Sequence, residues 1–253
     1  VISGRPTERF GHVMVDEAQD FTPAMLHVIR GNVSGQQITL LGDFNQRTRA
    51  ESVRSWDEIQ QLLGLEKLSV AALTKSYRVP KQTLDLAAKV LTAEERKRAP
   101  EGVRSGEEPE FHRADSNAVV GKVARLVAKA DEGQILVIAD VEMRGQLSFA
   151  DNRVIMVDPT EANSLEAGLV IVVEPGAWTA ASDALSHLHY VALTRTMGRL
   201  VIVHSGELPE GLSSKQGRRR APSASKRSPS KRTQVKSKKP VQSLLRRLRK
   251  RYK

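Results

Sequence analysis

The chain has 253 residues, no cysteine, 4% aromatic residues and 40 Lys plus Arg against 29 Asp plus Glu. It is therefore long enough for one large domain or two ordinary ones, and it is no disulfide-stapled miniprotein, zinc ribbon or thiol enzyme. The formal charge of +11 sits at one end: residues 215–253 hold 17 basic and no acidic residues, leaving 23 basic against 29 acidic, a balance of −6, in residues 1–214. No apolar run approaches the roughly 18–20 residues of a transmembrane helix, and no charged-then-apolar segment opens the chain. The expectation is a soluble, cytoplasmic protein with no membrane partner. A start at Val1 reads as a fragment or a processed product.

Taken in order, an apolar run at His12–Val15, a helical spacing of Met25, Leu26 and Ile29, and a second apolar run at Ile38–Leu41 predict strand, helix, strand. The helix has Asp20 or Thr22 as N-cap, Pro23 in its first turn and Gly31-Asn32 after its last periodic residue. Two strands joined this way form a right-handed parallel crossover, with ligand chemistry at the carboxyl ends of the strands. Beyond a boundary near residue 68, helices are expected at Thr83–Leu91, Ala118–Ala130 and Ser182–Thr194, and strands at Ile135–Ala139, Val154–Val157, Leu169–Val173 and Leu200–Val203. Consecutive apolar residues in these strands predict a sheet covered on both faces. Lys97–Asp115, rich in Pro, Gly and charge, reads as a surface loop. From about Ser213 the Ser/Pro/Lys/Arg composition buries too little to order the chain, so the tail is expected to be disordered.

The sharpest local feature is Val13-Met14-Val15-Asp16-Glu17-Ala18-Gln19-Asp20, an apolar strand delivering adjacent carboxylates to its end. Nucleotide hydrolysis uses such a pair: one carboxylate holds Mg²⁺ and its neighbour orients or deprotonates the attacking water. The next strand ends in Gly42-Asp43, followed by Gln46, which brings a second carboxylate and a neutral side chain able to sense a terminal phosphate to the same edge. Arg78, in Ser76-Tyr77-Arg78-Val79-Pro80, and Arg195, in Val191-Ala192-Leu193-Thr194-Arg195, are cations of the kind that stabilise a phosphoryl-transfer transition state.

Asp-Glu-Ala-Gln-Asp, then Gly-Asp-x-x-Gln, then Tyr-Arg, then Leu165-Glu166 ahead of an apolar strand, then Val-Ala-Leu-Thr-Arg resembles motifs II to VI of the UvrD/Rep-like superfamily 1 helicases. The similarity covers roughly residues 10–205. Ser76–Pro80 and Arg199–His204 look like the HelD-type branch associated with RNA polymerase. The resemblance implies an α/β fold of RecA-like parallel sheets, the P-loop NTPase helicase core. Residues 1–68 would be the distal part of a first, ATP-binding domain, 69–206 a complete second domain, and 207–253 a disordered basic tail. It implies Asp16 on Mg²⁺, Glu17 as the base positioning water, Gln46 as γ-phosphate sensor, Tyr77 stacked on the base of ATP, Arg78 and Arg195 as phosphate-contacting fingers, and Glu166 at the ribose or the inter-domain edge of the nucleotide.

The family's phosphate loop, Gly-x-x-x-x-Gly-Lys followed by Thr or Ser, does not occur in the 253 residues. The chain is therefore expected to be the C-terminal part of a longer motor and to hydrolyse ATP negligibly alone. Asn163-Ser164 stands where the family has Lys-Gly, and a Ser restricts close backbone approach to a phosphate. Only 87 residues separate Arg78 from Glu166, too few for the accessory domain that UvrD-type helicases insert there. The expected partner is nucleic acid, single-stranded DNA foremost. The alternatives are an ATPase that remodels RNA polymerase without unwinding a duplex, and a non-catalytic nucleic-acid-binding remnant. The cationic tail suits phosphate neutralisation, but Tyr252 is its one aromatic residue, which argues against base stacking there. His187 and His189 read as packing or helix-surface residues without a shared metal. Trp56 and Trp178 read as core or rim residues, or as stackers on bases.

Overall fold

In the computed structural model the described residues are 9–213, apart from Gln36, Glu132, Ala180 and Ala181, and they belong to one compact unit. The tail expectation, from residue 214 on, lies outside the described residues.

The N-terminal part is a strand–helix–strand crossover. β1 (Val13–Val15) and β2 (Ile38–Leu40) pair in parallel, Val13 opposite Ile38 and Val15 opposite Leu40. Between them runs α1 (Pro23–Asn32), capped by Thr22, whose hydroxyl accepts the Met25 N–H, with Pro23 pre-set at the first position. Thr22 rather than Asp20 is the cap. Gly31 and Asn32 lie in the helix's last turn, because the Asn32 side-chain amide bonds back to the Val28 carbonyl and chain reversal waits until Val33.

A helix not among the predicted elements follows, α2 (Trp56–Leu63), although Trp56, Ile59 and Leu63 carry helical i, i+3, i+7 spacing. Ser55 caps it by accepting the Glu58 N–H, the Glu58 carboxylate accepts the Arg54 N–H, and left-handed Gly64 closes it. Leu26, Ile59 and Leu63 pack with Val15 and Val53 in one apolar cluster.

After a short parallel pair, β3 (Lys75–Ser76) and β4 (Glu101–Gly102), with α3 (Lys81–Ala87) and α4 (Ala93–Arg96) between them, comes a five-stranded parallel sheet. Its strands are β5 (Glu110–Arg113), β6 (Ile135–Ile138), β7 (Val154–Val157), β8 (Ala167–Val173) and β9 (Thr196–His204), in the order β5-β9-β8-β6-β7. Strict alternation sorts the strand residues. Leu136, Ile138, Val170, Val172 and Ile202 face a core shared with Leu86 of α3 and Tyr190 and Leu193 of α7 (Ser182–Thr194). Ile135, Val137, Ile171, Val173 and Val203 face Val119, Val123 and Val127 of α5 (Val119–Ala128). A short α6 (Val141–Gln146) opens on its cap Asp140.

The surface-loop reading of Lys97–Asp115 is corrected in part. Glu110–Arg113 is an edge strand of the large sheet, and its pairing with β9 comes from the backbone ladder while Phe111 alone supplies core contact. An edge strand with one inward apolar residue carries no alternation to read. The packed body also continues past the expected limit at 206, since Leu212 is buried against the same core as Tyr190. Among the described residues no helix is long and apolar enough to cross a membrane.

Candidate functional site

Because β1 and β2 are parallel neighbours, Asp16-Glu17 and Asp43 leave the sheet at the same edge. Asp16 is exposed, and its Oδ1 accepts the Glu17 N–H at 2.9 Å. Glu17 takes a left-handed backbone, φ 52°, a conformation that costs a non-glycine residue of order 1–2 kcal/mol. A 3₁₀ turn, Ala18–Asp20, follows, tied down by the Ala18 N–H on the Leu41 carbonyl. The other half of the site stands at the amino ends of the large sheet: Glu166 immediately precedes β8 and Arg195 immediately precedes β9.

The two halves touch through named bonds. Arg195 is 2% exposed; its Nε donates to the Val191 carbonyl at 3.0 Å and an Nη donates to Gln46 Oε1 at 2.6 Å. Burial, and after it the like charge of Arg78, pulls the Arg195 pKa below its usual value, while the Glu166 and Glu17 carboxylates oppose that shift. An arginine so placed remains a cation. Asp20 accepts from the Asn163 side chain at 2.7 Å and from the Thr48 N–H at 3.2 Å, bridging the Asp-Glu-Ala-Gln-Asp segment to the loop before β8. Arg78 is ion-paired with Glu166, and Arg104 donates to the carbonyls of Arg78 and Met197. Tyr77, the residue before Arg78, is 71% exposed.

The structure thus brings Glu17, Gln46, Arg78, Glu166 and Arg195 to one region, with Asp16 and Tyr77 on its exposed margin. Several participants carried no role in the sequence reading. Gln19 is fully buried and joins Glu17 to Asp43; its presence inside the acidic motif was the available signal. His187 and Glu95 pair at 2.7 Å, and the Glu95 carbonyl accepts from Asn45 at 3.2 Å, fastening the Asp43–Gln46 turn and α4 to α7. Glu95 sits below the usual carboxylate range: burial opposes ionisation, and the Thr92 hydrogen bonds and His187 outweigh it.

Ser164 adopts φ 66°, the left-handed conformation that favours glycine. Trp178 is the core residue of its two readings: it is buried, donates to the Val173 carbonyl at 3.1 Å and stacks on His189 with ring centroids 5.2 Å apart. Trp56 meets Phe44 edge-on at 5.1 Å. His187 and His189, both buried, serve different neighbours, and among the described residues no cluster of three or more potential ligands could hold a metal ion by itself.

Comparison with known structures defines the fold. The fold is that of helicase RecA-like domains: arterivirus nonstructural protein 10, a helicase solved with DNA, is similar over 81% of this chain at 16% identity and a TM-score of 0.50. This chain spans 42% of that helicase. The C-terminal domain of a possible DNA helicase from Lactobacillus plantarum WCFS1 is similar over 55% of this chain and 92% of its own length, at 23% identity and a TM-score of 0.41. The chain matches no protein-family model and no curated protein.

Proposed function

We propose that the chain is the distal part of an ATP-driven motor of superfamily 1 type that couples hydrolysis to movement on nucleic acid, single-stranded DNA foremost. The observation that carries this reading is the bond between Arg195 and Gln46, a buried cation meeting a neutral phosphate-sensing side chain from the other half of the site. Arg195 lies in reach of a terminal phosphate only while the two halves are together, so closure and transition-state stabilisation are one event.

The residues present fit Mg²⁺ and ATP. Asp16 offers an exposed strand-end carboxylate, and Mg²⁺ bound through phosphates and water needs only one or two of these. When bound, Mg²⁺ neutralises phosphate charge. Glu17 holds and accepts a proton from the attacking water, Gln46 and Arg195 contact the terminal phosphate, and Tyr77 offers its ring to the base. Arg78 reaches phosphate by exchanging Glu166 for it, which frees Glu166 for the ribose. The Gly-rich cradle comes from sequence outside residues 1–253.

The test is the coding DNA upstream of Val1, followed by expression of the extended protein. An in-frame Gly-x-x-x-x-Gly-Lys-Thr or Ser is expected, with Mg²⁺-dependent ATPase activity that falls about 10³-fold in Arg195→Ala and is abolished in Glu17→Gln. An extended protein that binds no Mg–ATP overturns the reading. Turnover by residues 1–253 alone, lost in Glu17→Gln, overturns the need for an external cradle.

Residues 79–165 favour remodelling of a nucleoprotein complex over processive unwinding, since strands and helices packed on the sheet account for this stretch. Strand-displacement assays on the extended protein separate these outcomes: ATPase activity without displacement is expected.

A further inference from the structure

Gln19 is a fully buried amide two residues after Glu17, and neither oxygen nor nitrogen of its side chain is idle. Its Nε2 donates to Glu17 Oε2 at 2.6 Å, and its Oε1 accepts the backbone N–H of Asp43 at 3.0 Å. Asp43 Oδ2 then accepts from Gln46 Nε2 at 2.9 Å, and Gln46 Oε1 accepts from Arg195 at 2.6 Å. The second Asp43 oxygen accepts the Asn45 N–H at 2.9 Å, which fixes the carboxylate's orientation. Every bond in this series donates in the same direction, from Arg195 through Gln46, Asp43 and Gln19 to Glu17. Rotating either glutamine amide by half a turn would set donor against donor at one end and acceptor against acceptor at the other, so the polarity is determined by the series.

We propose that Gln19 and the Asp43 backbone form a one-way hydrogen-bond relay that positions Glu17 according to what Arg195 contacts. Each glutamine amide accepts at Oε1 and donates at Nε2, so the two bonds that it makes strengthen one another, and Asp43 joins the two amides by its carboxylate on one side and its backbone N–H on the other. The packing is made for it: a Cβ at position 42 would lie 2.7 Å from Gln19 Oε1, so Gly42 is the residue that lets the amide lie against the strand end. Gln19 also supplies the hydrogen bond that anchors the side chain of Glu17, whose backbone is left-handed. When Arg195 turns from Gln46 to a phosphate, the first link breaks, and the Gln46, Asp43 and Gln19 links relax as far as Glu17. Gln19 is thus a positioning residue. What the relay conveys rests on the proposed function; its existence does not.

The test uses residues 1–253, Glu side chains labelled with ¹³C at the carboxyl and Gln side chains with ¹⁵N, read by NMR. Arg195→Lys keeps the charge and removes the guanidinium bond, so through-space electrostatics at Glu17 are largely retained. The expected result is a shift of the Gln46, Gln19 and Glu17 side-chain resonances in Arg195→Lys, with the Glu17 part of that shift lost when Gln19→Met, of equal length and without donor or acceptor, is added. Should Gln19→Met not fold, Gln46→Met at a half-buried position cuts the same series and is expected to give the same loss. An Arg195→Lys shift at Glu17 that is equal with and without the intact series, or absent from Gln19, overturns the relay. Failure of the extended protein to bind Mg–ATP would leave these shifts unchanged, so the two readings fail separately.

Discussion

The small sheet and the large one are built from similar sequence and packed differently. In β6 all four residues, Ile135–Ile138, are buried, because α5 covers one face and α3 with α7 the other. In β1, also a run of apolar residues, Val15 is buried against α1 and α2 while Met14 is 69% exposed and its partner Thr39 is exposed with it. An apolar run therefore reports a strand, and the number of layers over it is set elsewhere. The candidate site divides along the same line. Arg195 stands at the start of β9 in the doubly covered sheet and donates to the Val191 carbonyl, the Thr194 hydroxyl and Gln46, whereas Asp16 and Glu17 stand on the singly covered one and depend on Gln19, Asp20 and the Asp43–Gln46 turn for their placement.

The largest effect that tests this contrast is a cavity in the large sheet. Ile171 is fully buried between β6 and β9, and Ile171→Ala is expected to lower stability by about 2–5 kcal/mol, measured by urea denaturation. A loss below about 1 kcal/mol would mean that the site collapses freely and that the doubly covered sheet is no stiffer than the small one.

The second test is pH. Burial holds the His189 pKa below its ordinary 6.5, against the Pro175 carbonyl that favours the proton. The unfolded chain takes up a proton as pH falls through about 6.5, and the folded one does so only lower, so the unfolded state binds more protons in that window. Stability attributable to His189 is therefore complete above pH 6.5 and is lost as pH falls towards the depressed folded value. His189→Phe keeps a ring against Trp178 and removes the ionisable group. Its denaturation midpoint is expected to fall less between pH 7 and pH 5 than that of the unsubstituted chain; parallel profiles would show that His189 charges without cost in the fold.

The contrast also marks where sequence could be read. The central strands, α1, α5 and α7 were legible because burial on a regular period writes itself into the residues. β5 was not, since an edge strand needs only the β9 backbone and Phe111; α2 did carry a signal, in the helical spacing of Trp56, Ile59 and Leu63 and in its Ser55 and Glu58 cap. Arg195, Gln46 and the acidic pair were legible from motif order. The Arg78–Glu166 pairing, the Asp20–Asn163 bridge and the relay through Gln19 were not, because each joins side chains distant in sequence or defined only by the direction of an amide.

A smaller effect is expected at the loop that joins the two halves. Ser164 holds φ 66° beside Asn163 and Glu166, a conformation whose cost for an L-residue is of order 1–2 kcal/mol. Ser164→Gly removes that cost and adds unfolded-state entropy in return, so a net gain of up to about 1 kcal/mol is expected by thermal denaturation. A loss would show that the Ser side chain itself contributes to the loop.

The smallest effect is the most direct test of the open face. Met14 occupies the middle of β1, between Val13 and Val15, at a position where a doubly covered strand would make it as costly to change as Ile171. With its side chain 69% exposed opposite Thr39, Met14→Ser removes little buried area and leaves the backbone pairing with β2 intact. The expected change in the stability of residues 1–253 is within about 0.5 kcal/mol. A cost of several kcal/mol would mean that this face is covered in solution, by a second copy of the chain or by residues outside 9–213. Measuring the cost at two protein concentrations separates these, because only the first depends on concentration.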